Sequence, residues 1–203
     1  MNASALGCGL AHELGITAAK AGWELSDFSA LAKSEEKCRQ VLSFLRGHSE
    51  MKIREHFIYC DAAPFIPKGW SVLPDEEQIP TRLRGQFKWD KEKQKDAFYL
   101  SGCECIGGNE LREELAEKRI VVLPANVLNY LLDNQRLIPE DWKKDEGGKI
   151  LYIYFWGTIY SSSVDRLCVF YLYWGGNEWR YDYECINKNW RANNLAAVSA
   201  SQN

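Results

Sequence analysis

His56, Cys60 and Asp61 are the nearest this chain comes to a reactive cluster, with a base, a thiol and a carboxylate close together in sequence. A Cys–His nucleophile needs the pair within hydrogen-bond reach and a third group to orient the base. His56-Phe57-Ile58-Tyr59-Cys60 reads as a strand, so His56 and Cys60 share a face but stand about 13 Å apart at ~3.3 Å per residue. They cannot form a dyad with each other. Hydrolase or transferase chemistry would need His12, His48 or another thiol brought in by the fold. The competing reading is a packed strand that ends in an Asp turn. Cys103-Glu104-Cys105 has the look of half a metal site, but a structural zinc takes four ligands, usually as two close pairs, and no second Cys/His pair has matching spacing. Gly102, Gly107 and Gly108 precede Asn109 without a Gly-Lys-Ser/Thr or a strand-to-helix G-x-G-x-x-G, so no phosphate loop is expected. The sequence calls for no metal and no cofactor.

The elements that would position such groups start from ordinary globular material. The chain has 203 residues, 46% hydrophobic and 26% charged, which is enough to bury a sizeable core. A net charge of −3 lacks the basic footprint of a general nucleic-acid binder. No apolar run approaches the roughly 20 residues a bilayer span needs, and no Lys or Arg precedes Lys20, so neither a membrane segment nor a secretory leader is expected. Seven cysteines, an odd number, then point to reduced thiols in a cytoplasm. Cys168 and Cys185 fall inside strand patterns and read as small hydrophobes.

Along the chain, residues 10–47 read as helical. Gly22 breaks the run, Ser26 and Ser34 stand as N-caps, and Cys38, Val41, Leu42 and Leu45 make an apolar stripe. Strands are expected at 56–60, 86–90 and 97–100, and helices at 109–118 and 125–134. Pro139 opens a short turn to Trp142. This gives an α+β organisation: a helical N-terminal segment (1–50), a domain at 51–198 with a mainly antiparallel sheet, two helices packed on one sheet face, and a mobile tail at 199–203.

The chain contains 8 Trp, 10 Tyr and 8 Phe, and half of these crowd between Tyr152 and Trp190, which makes a C-terminal three-stranded aromatic meander the centre of the fold. Strand side chains alternate faces. If Gly175-Gly176-Asn177 is a three-residue hairpin loop, Tyr173 opposes Trp179 and Tyr171 opposes Tyr181, and the odd-numbered face is the core face. The even-numbered face then gathers Tyr152, Tyr154, Trp156, Phe170, Leu172 and Trp174 beside the charged row Arg180/Asp182/Glu184. An apolar area that large is covered on a soluble monomer, either by the chain's own helices or by a partner.

Four runs carry a resemblance: His56-Phe57-Ile58-Tyr59-Cys60-Asp61-Ala62-Ala63-Pro64-Phe65-Ile66-Pro67-Lys68-Gly69-Trp70, Pro124-Ala125-Asn126-Val127-Leu128-Asn129-Tyr130-Leu131-Leu132, Leu137-Ile138-Pro139-Glu140-Asp141-Trp142-Lys143 and Phe155-Trp156-Gly157-Thr158-Ile159-Tyr160. In this order they resemble a family of uncharacterised bacterial and phage-associated proteins, over residues 12–198. The resemblance implies a single globular unit and no established activity. The chain departs from that family at Tyr59, where an acidic residue is usual, at Pro124 (Asn), at Asn129 (Asp) and at Ser161-Ser162-Ser163 (Arg-Asp-Ser). The function expected is non-enzymatic binding through Tyr152, Tyr154, Trp156, Phe170, Trp174 and Arg180, with a protein partner or a second copy as the occupant. A small hydrolase or transferase using His56 and Asp61 with a thiol such as Cys60 is the alternative. A stacking surface for carbohydrate or single-stranded nucleic acid is a third reading, whose nucleic-acid version the acidic balance disfavours.

Overall fold

The computed structural model describes residues 8–48, 55–102, 105–191 and 193–200. The chain divides into two compact units, Met1–Arg54 and Glu55–Asn203.

In the first unit, α1 (Cys8–Lys20), α2 (Leu25–Ala32) and α3 (Glu35–Leu45) follow the helical periodicity. Ser34 caps α3 by accepting from Lys37 N at 3.2 Å, with Glu35 and Glu36 in the first turn where they suit the helix dipole. Glu24, not Ser26, caps α2, through a reciprocal bond in which Glu24 N donates to Asp27 Oδ2 at 2.8 Å. The apolar stripe is not buried: Val41, Leu42 and Leu45 are all exposed. Helices of 8 and 11 residues, as α2 and α3 are, present too little facing surface to dry one another.

The second unit contains β1 (His56–Tyr59), β2 (Ser71–Val72), β3 (Gln86–Trp89), α4 (Lys91–Gln94), β4 (Phe98–Tyr99), β5 (Cys105–Gly107), α5 (Gly108–Glu117), α6 (Ala125–Asp133), β6 (Tyr152–Tyr154), β7 (Tyr160–Ser161), β8 (Leu167–Trp174), β9 (Trp179–Cys185), β10 (Asn189–Arg191) and β11 (Asn194–Ala197). The chain is α+β. In the main sheet β8 is paired on one side with β9 and on the other with β6 and β7 in turn. Beyond these lie β11 beside β6, β2 beside β7, and β4 beside β11. Only β6–β11 is parallel among these pairs. β1–β3 and β5–β10 are separate two-stranded ribbons. The start of the expected tail is tied down, since Ser199 N donates to Val121 O at 2.9 Å and Ala200 N to the Gln94 side-chain oxygen.

The hairpin register differs by one residue from the sequence expectation. Its loop is Gly175–Glu178, four residues closed by Gly175 N donating to Glu178 O at 2.9 Å, so Trp174 rather than Tyr173 opposes Trp179. β6 is displaced likewise, with Ile153 opposite Leu172. A one-residue slip turns every side chain of a strand to the other face. The two slips cancel between β6 and β9 and leave only β8 reversed. Phe170 and Leu172 therefore join Ile153, Phe155 and Trp179, while Val169 joins Tyr154 and Trp156.

Alternation also resets between β6 and β7. The chain turns at Phe155–Ile159, so Tyr160 lies in the cluster of Phe155 and Ile159 in that of Trp156. Gly157 permits this turn: its N donates to Leu123 O at 3.0 Å, and a Cβ there would stand 2.7 Å from Leu123 C and Pro124 N. The expected contiguous even-numbered patch therefore does not form. Helices cover both faces rather than one. Val127, Leu128 and Leu131 of α6 pack in one cluster together with Ile58, Phe87 and Trp89 of the β1–β3 ribbon. Leu111 and Leu115 of α5 pack in the other with Ile186 and Trp190.

Candidate functional site

Each member of the His56/Cys60/Asp61 group has a structural occupation. On β1, Ile58 and the neighbouring Cys60 turn inward, while Phe57 and Tyr59 face out. His56 Nδ1 lies 2.8 Å from Tyr130 Oη. Cys60 is buried, its Sγ 4.0 Å from the carbonyl of Ile58, and burial followed by the charge of Asp61 pushes its thiol up to about 11. A thiol held protonated is a poor nucleophile. Asp61 Oδ2 accepts from Gly85 N at 2.7 Å and Oδ1 lies 3.8 Å from Arg84, which closes the β1–β3 ribbon. These residues serve as strand packing and a turn clamp. Of the Cys-Glu-Cys run, Cys103 and Glu104 lie outside the described residues. Among the described residues no group of three or more His, Cys, Asp or Glu could hold a metal ion.

The six residues expected to make a binding face are split between the two sides of the sheet. Trp156 and Tyr154 are buried, with Trp190 at 4.9 Å and 4.0 Å between ring centroids, and Asn194 Nδ2 donates to Tyr154 Oη at 2.8 Å. Tyr152 is half-buried beside Tyr171 and Tyr173. Phe170 lies on the opposite side, 5% exposed. Trp174 is half-buried, with Lys143 Nζ 3.9 Å from its ring centroid, a cation–π contact. Arg180 is exposed and pairs with Glu178 at 2.9 Å. The charged row Arg180/Asp182/Glu184 does form a polar side of β9, and burial followed by Asp182 and Glu184 pushes the Tyr171 phenol up to about 12.

Aromatic surface that remains open lies elsewhere, in a cleft of about 500 Å3 lined by Phe65, Pro67, Trp70, Phe170, Tyr181, Asp182 and Tyr183. The Pro64–Pro67 run belongs to no helix or strand and lies against the sheet, where Tyr160 Oη donates to Phe65 O at 3.1 Å. Trp70 follows and stacks in three directions, 4.7 Å from Tyr183, 5.8 Å from Phe170 and 6.3 Å from Tyr160 between centroids. Phe65, Tyr181 and Tyr183 remain 53%, 47% and 46% exposed. Sequence parity assigned both tyrosines to a dry core side. They are on the same side as Trp179, but β9 is the edge strand and the cover provided by α6 does not extend over them. The association of Trp70 with Tyr183 could not be found from spacing, because it depends on where a proline-rich loop returns to the sheet.

The free edge of β9 is already satisfied at three positions. Trp179 N donates to Gln135 Oε1 at 3.2 Å rather than to a strand, and Gln135 Nε2 donates back to Trp179 O at 3.5 Å. Tyr183 N donates to Asp182 Oδ1 at 2.8 Å, and Cys185 N to Glu184 Oε1 at 3.1 Å. Added-strand recognition is thereby blunted, and what the cleft offers a ligand is ring faces and edges. A broader hollow of about 1040 Å3 runs past Asp96, Asp141, Lys144, Asp145, Lys149 and Arg191. Its charges are of both signs, and Asp145 is already engaged by Lys149 N at 2.8 Å. No family model matches the chain, and neither a curated protein nor a solved structure is significantly similar to it.

Proposed function

We propose that the chain is a non-enzymatic binding protein whose ligand face is the Phe65/Trp70/Tyr181/Tyr183 cleft, and that its ligand is an extended, proline-containing segment of a protein partner. The observation that carries the reading is the contrast in cover. Tyr154 and Trp156 are dry, whereas Tyr181, Tyr183 and Phe65 keep about half their surface in water around a concave site floored by Phe170. The chemistry of the ligand follows from what the wall already takes. Phe65 and Pro67 of the chain's own Pro64-Phe65-Ile66-Pro67 run already line it, and aromatic grooves bind pre-extended proline-containing segments at low entropic cost. The proposal includes membership of the uncharacterised family that the motifs resemble. In its support, two of those motifs interlock, as Thr158 Oγ1 accepts from Ala125 N at 3.0 Å.

The test is selection of displayed proline-containing peptides on the immobilised chain, followed by affinity measurement for the winners. Tyr181→Ala and Tyr183→Ala are expected to weaken binding tenfold or more, about 1.4 kcal/mol, with the fold intact because both side chains are half exposed. Selected peptides that bind both variants with unchanged affinity refute the cleft. A glycan array in which sugars bind and these variants do not would replace the peptide by a carbohydrate.

A further inference from the structure

Cys168 and Cys185 stand directly opposite one another on β8 and β9, with their Sγ atoms 3.3 Å apart. Adjacent Leu167 O accepts from Ile186 N at 2.9 Å, and at the far end Gly175 N donates to Glu178 O. Hydrogen-bonded and non-hydrogen-bonded pairs alternate along an antiparallel ladder, so 168/185 is a non-hydrogen-bonded pair. At such sites the Cα atoms approach to about 4.5 Å, inside the range of about 4.4–6.8 Å that a disulfide spans. Nothing but a short closure of the two sulfurs separates the dithiol from a bond. The two thiols also differ in access. Cys168 is fully buried, and burial followed by its hydrogen bond with Cys185 raises its pKa, whereas Cys185 is partly open at the end of the edge strand.

We infer that Cys168 and Cys185 form a thiol–disulfide exchange site that closes in the folded protein on a low-molecular-weight disulfide such as oxidised glutathione. Cys185, the accessible thiol, loses its proton to solvent and attacks one sulfur of that disulfide. The S–S bond breaks, the departing thiolate takes up a proton, and a mixed disulfide remains on Cys185. Cys168 is held protonated by burial, so this second step is the slower one; contact with the mixed disulfide carries it, as Cys168 gives up its proton and attacks Cys185 Sγ, expelling the second small thiol. Two protein thiols are oxidised by two electrons, and one small disulfide is reduced to two thiols. The product staples the base of the β8–β9 hairpin on the side of the sheet that carries Tyr183. The inference is independent of what the cleft binds.

The full reduced chain is incubated natively with oxidised glutathione, quenched in acid, alkylated and digested with trypsin. Cleavage after Arg166, Arg180 and Lys188 places the two cysteines on separate peptides. The expected result is a linked pair of those peptides, two hydrogens lighter than their reduced sum and reversed by dithiothreitol. Cys168→Ala is expected to stop at glutathione on Cys185, and the oxidised wild type to melt at a higher temperature than the reduced. The inference is overturned if both peptides are recovered alkylated, or each with its own glutathione, while exposed Cys38 has reacted. A link that forms only in denaturant overturns it equally.

Discussion

Thr158 and Gln78 show how far a single polar side chain can act from its place in the sequence. Thr158 Oγ1 meets Ala125 N at the start of α6, where a helix leaves its first N–H groups without partners and the α6 N-cap, Pro124, has no side chain to offer. Gln78 is 3% exposed, donates from Nε2 to Leu73 O at 2.9 Å and to Ile159 O at 3.1 Å, and accepts from Ile159 N at 2.8 Å. It imitates a length of strand. Neither role could be read from the sequence, because Ala125 stands 33 residues from Thr158 and Ile159 stands 81 from Gln78. Thr158→Val keeps the shape and orphans a buried N–H, so it is expected to cost about 1–3 kcal/mol in urea unfolding. Thr158→Ser, which keeps the acceptor, should recover most of the loss. Equal stability of the valine variant and the wild type would show that this cap carries no weight.

At the scale of elements, periodicity located most of them. The strands at His56, Gln86 and Phe98 and the helices at 109–118 and 125–134 were legible because each shows its own repeat of apolar residues. Register was not legible. A three-residue and a four-residue loop over Gly175-Gly176-Asn177-Glu178 are equally good turn sequences, yet they place opposite faces of β8 in the core, and β8 is apolar on both. β10 and β11 were missed because Asn189–Arg191 and Asn194–Ala197 are short and carry little pattern. The edge strand β9 shows what its acidic residues do beyond solvation. With Asp182 and Glu184 turned back onto the N–H groups of Tyr183 and Cys185, the edge has fewer free donors for another chain. Asp182→Ala combined with Glu184→Ala is expected to raise concentration-dependent light scattering several-fold at unchanged secondary structure. A variant as monodisperse as the wild type would assign the edge protection to something other than these two carboxylates.

Across the whole molecule, the two buried clusters draw, among the described residues, only on those between Ile58 and Ala197, while α1–α3 keep large apolar side chains in water. The class and the aromatic sheet followed from composition and alternation, but the double cover did not, because sequence pattern tells that a face is apolar and not which helix reaches it. No described helix is long and apolar enough to cross a membrane. Burying so many thiols and phenols has a consequence in alkali. Burial raises Cys60 from 9.0 to about 11 and Tyr171 from 10.0 to about 12, and it also raises Cys168, Tyr154 and Tyr160. Each group is held neutral in the fold and ionises more readily in the unfolded chain. Their contribution is therefore complete below about pH 9, where both states are protonated, and is lost as pH rises toward the folded values. The melting temperature is expected to be level near pH 8 and to fall progressively from pH 9 to pH 11. Cys60→Ala removes one of the two thiols that burial holds protonated, so its decline over that window should be shallower than that of the wild type. A wild type that melts at one temperature throughout would mean that these thiols and phenols reach water without unfolding.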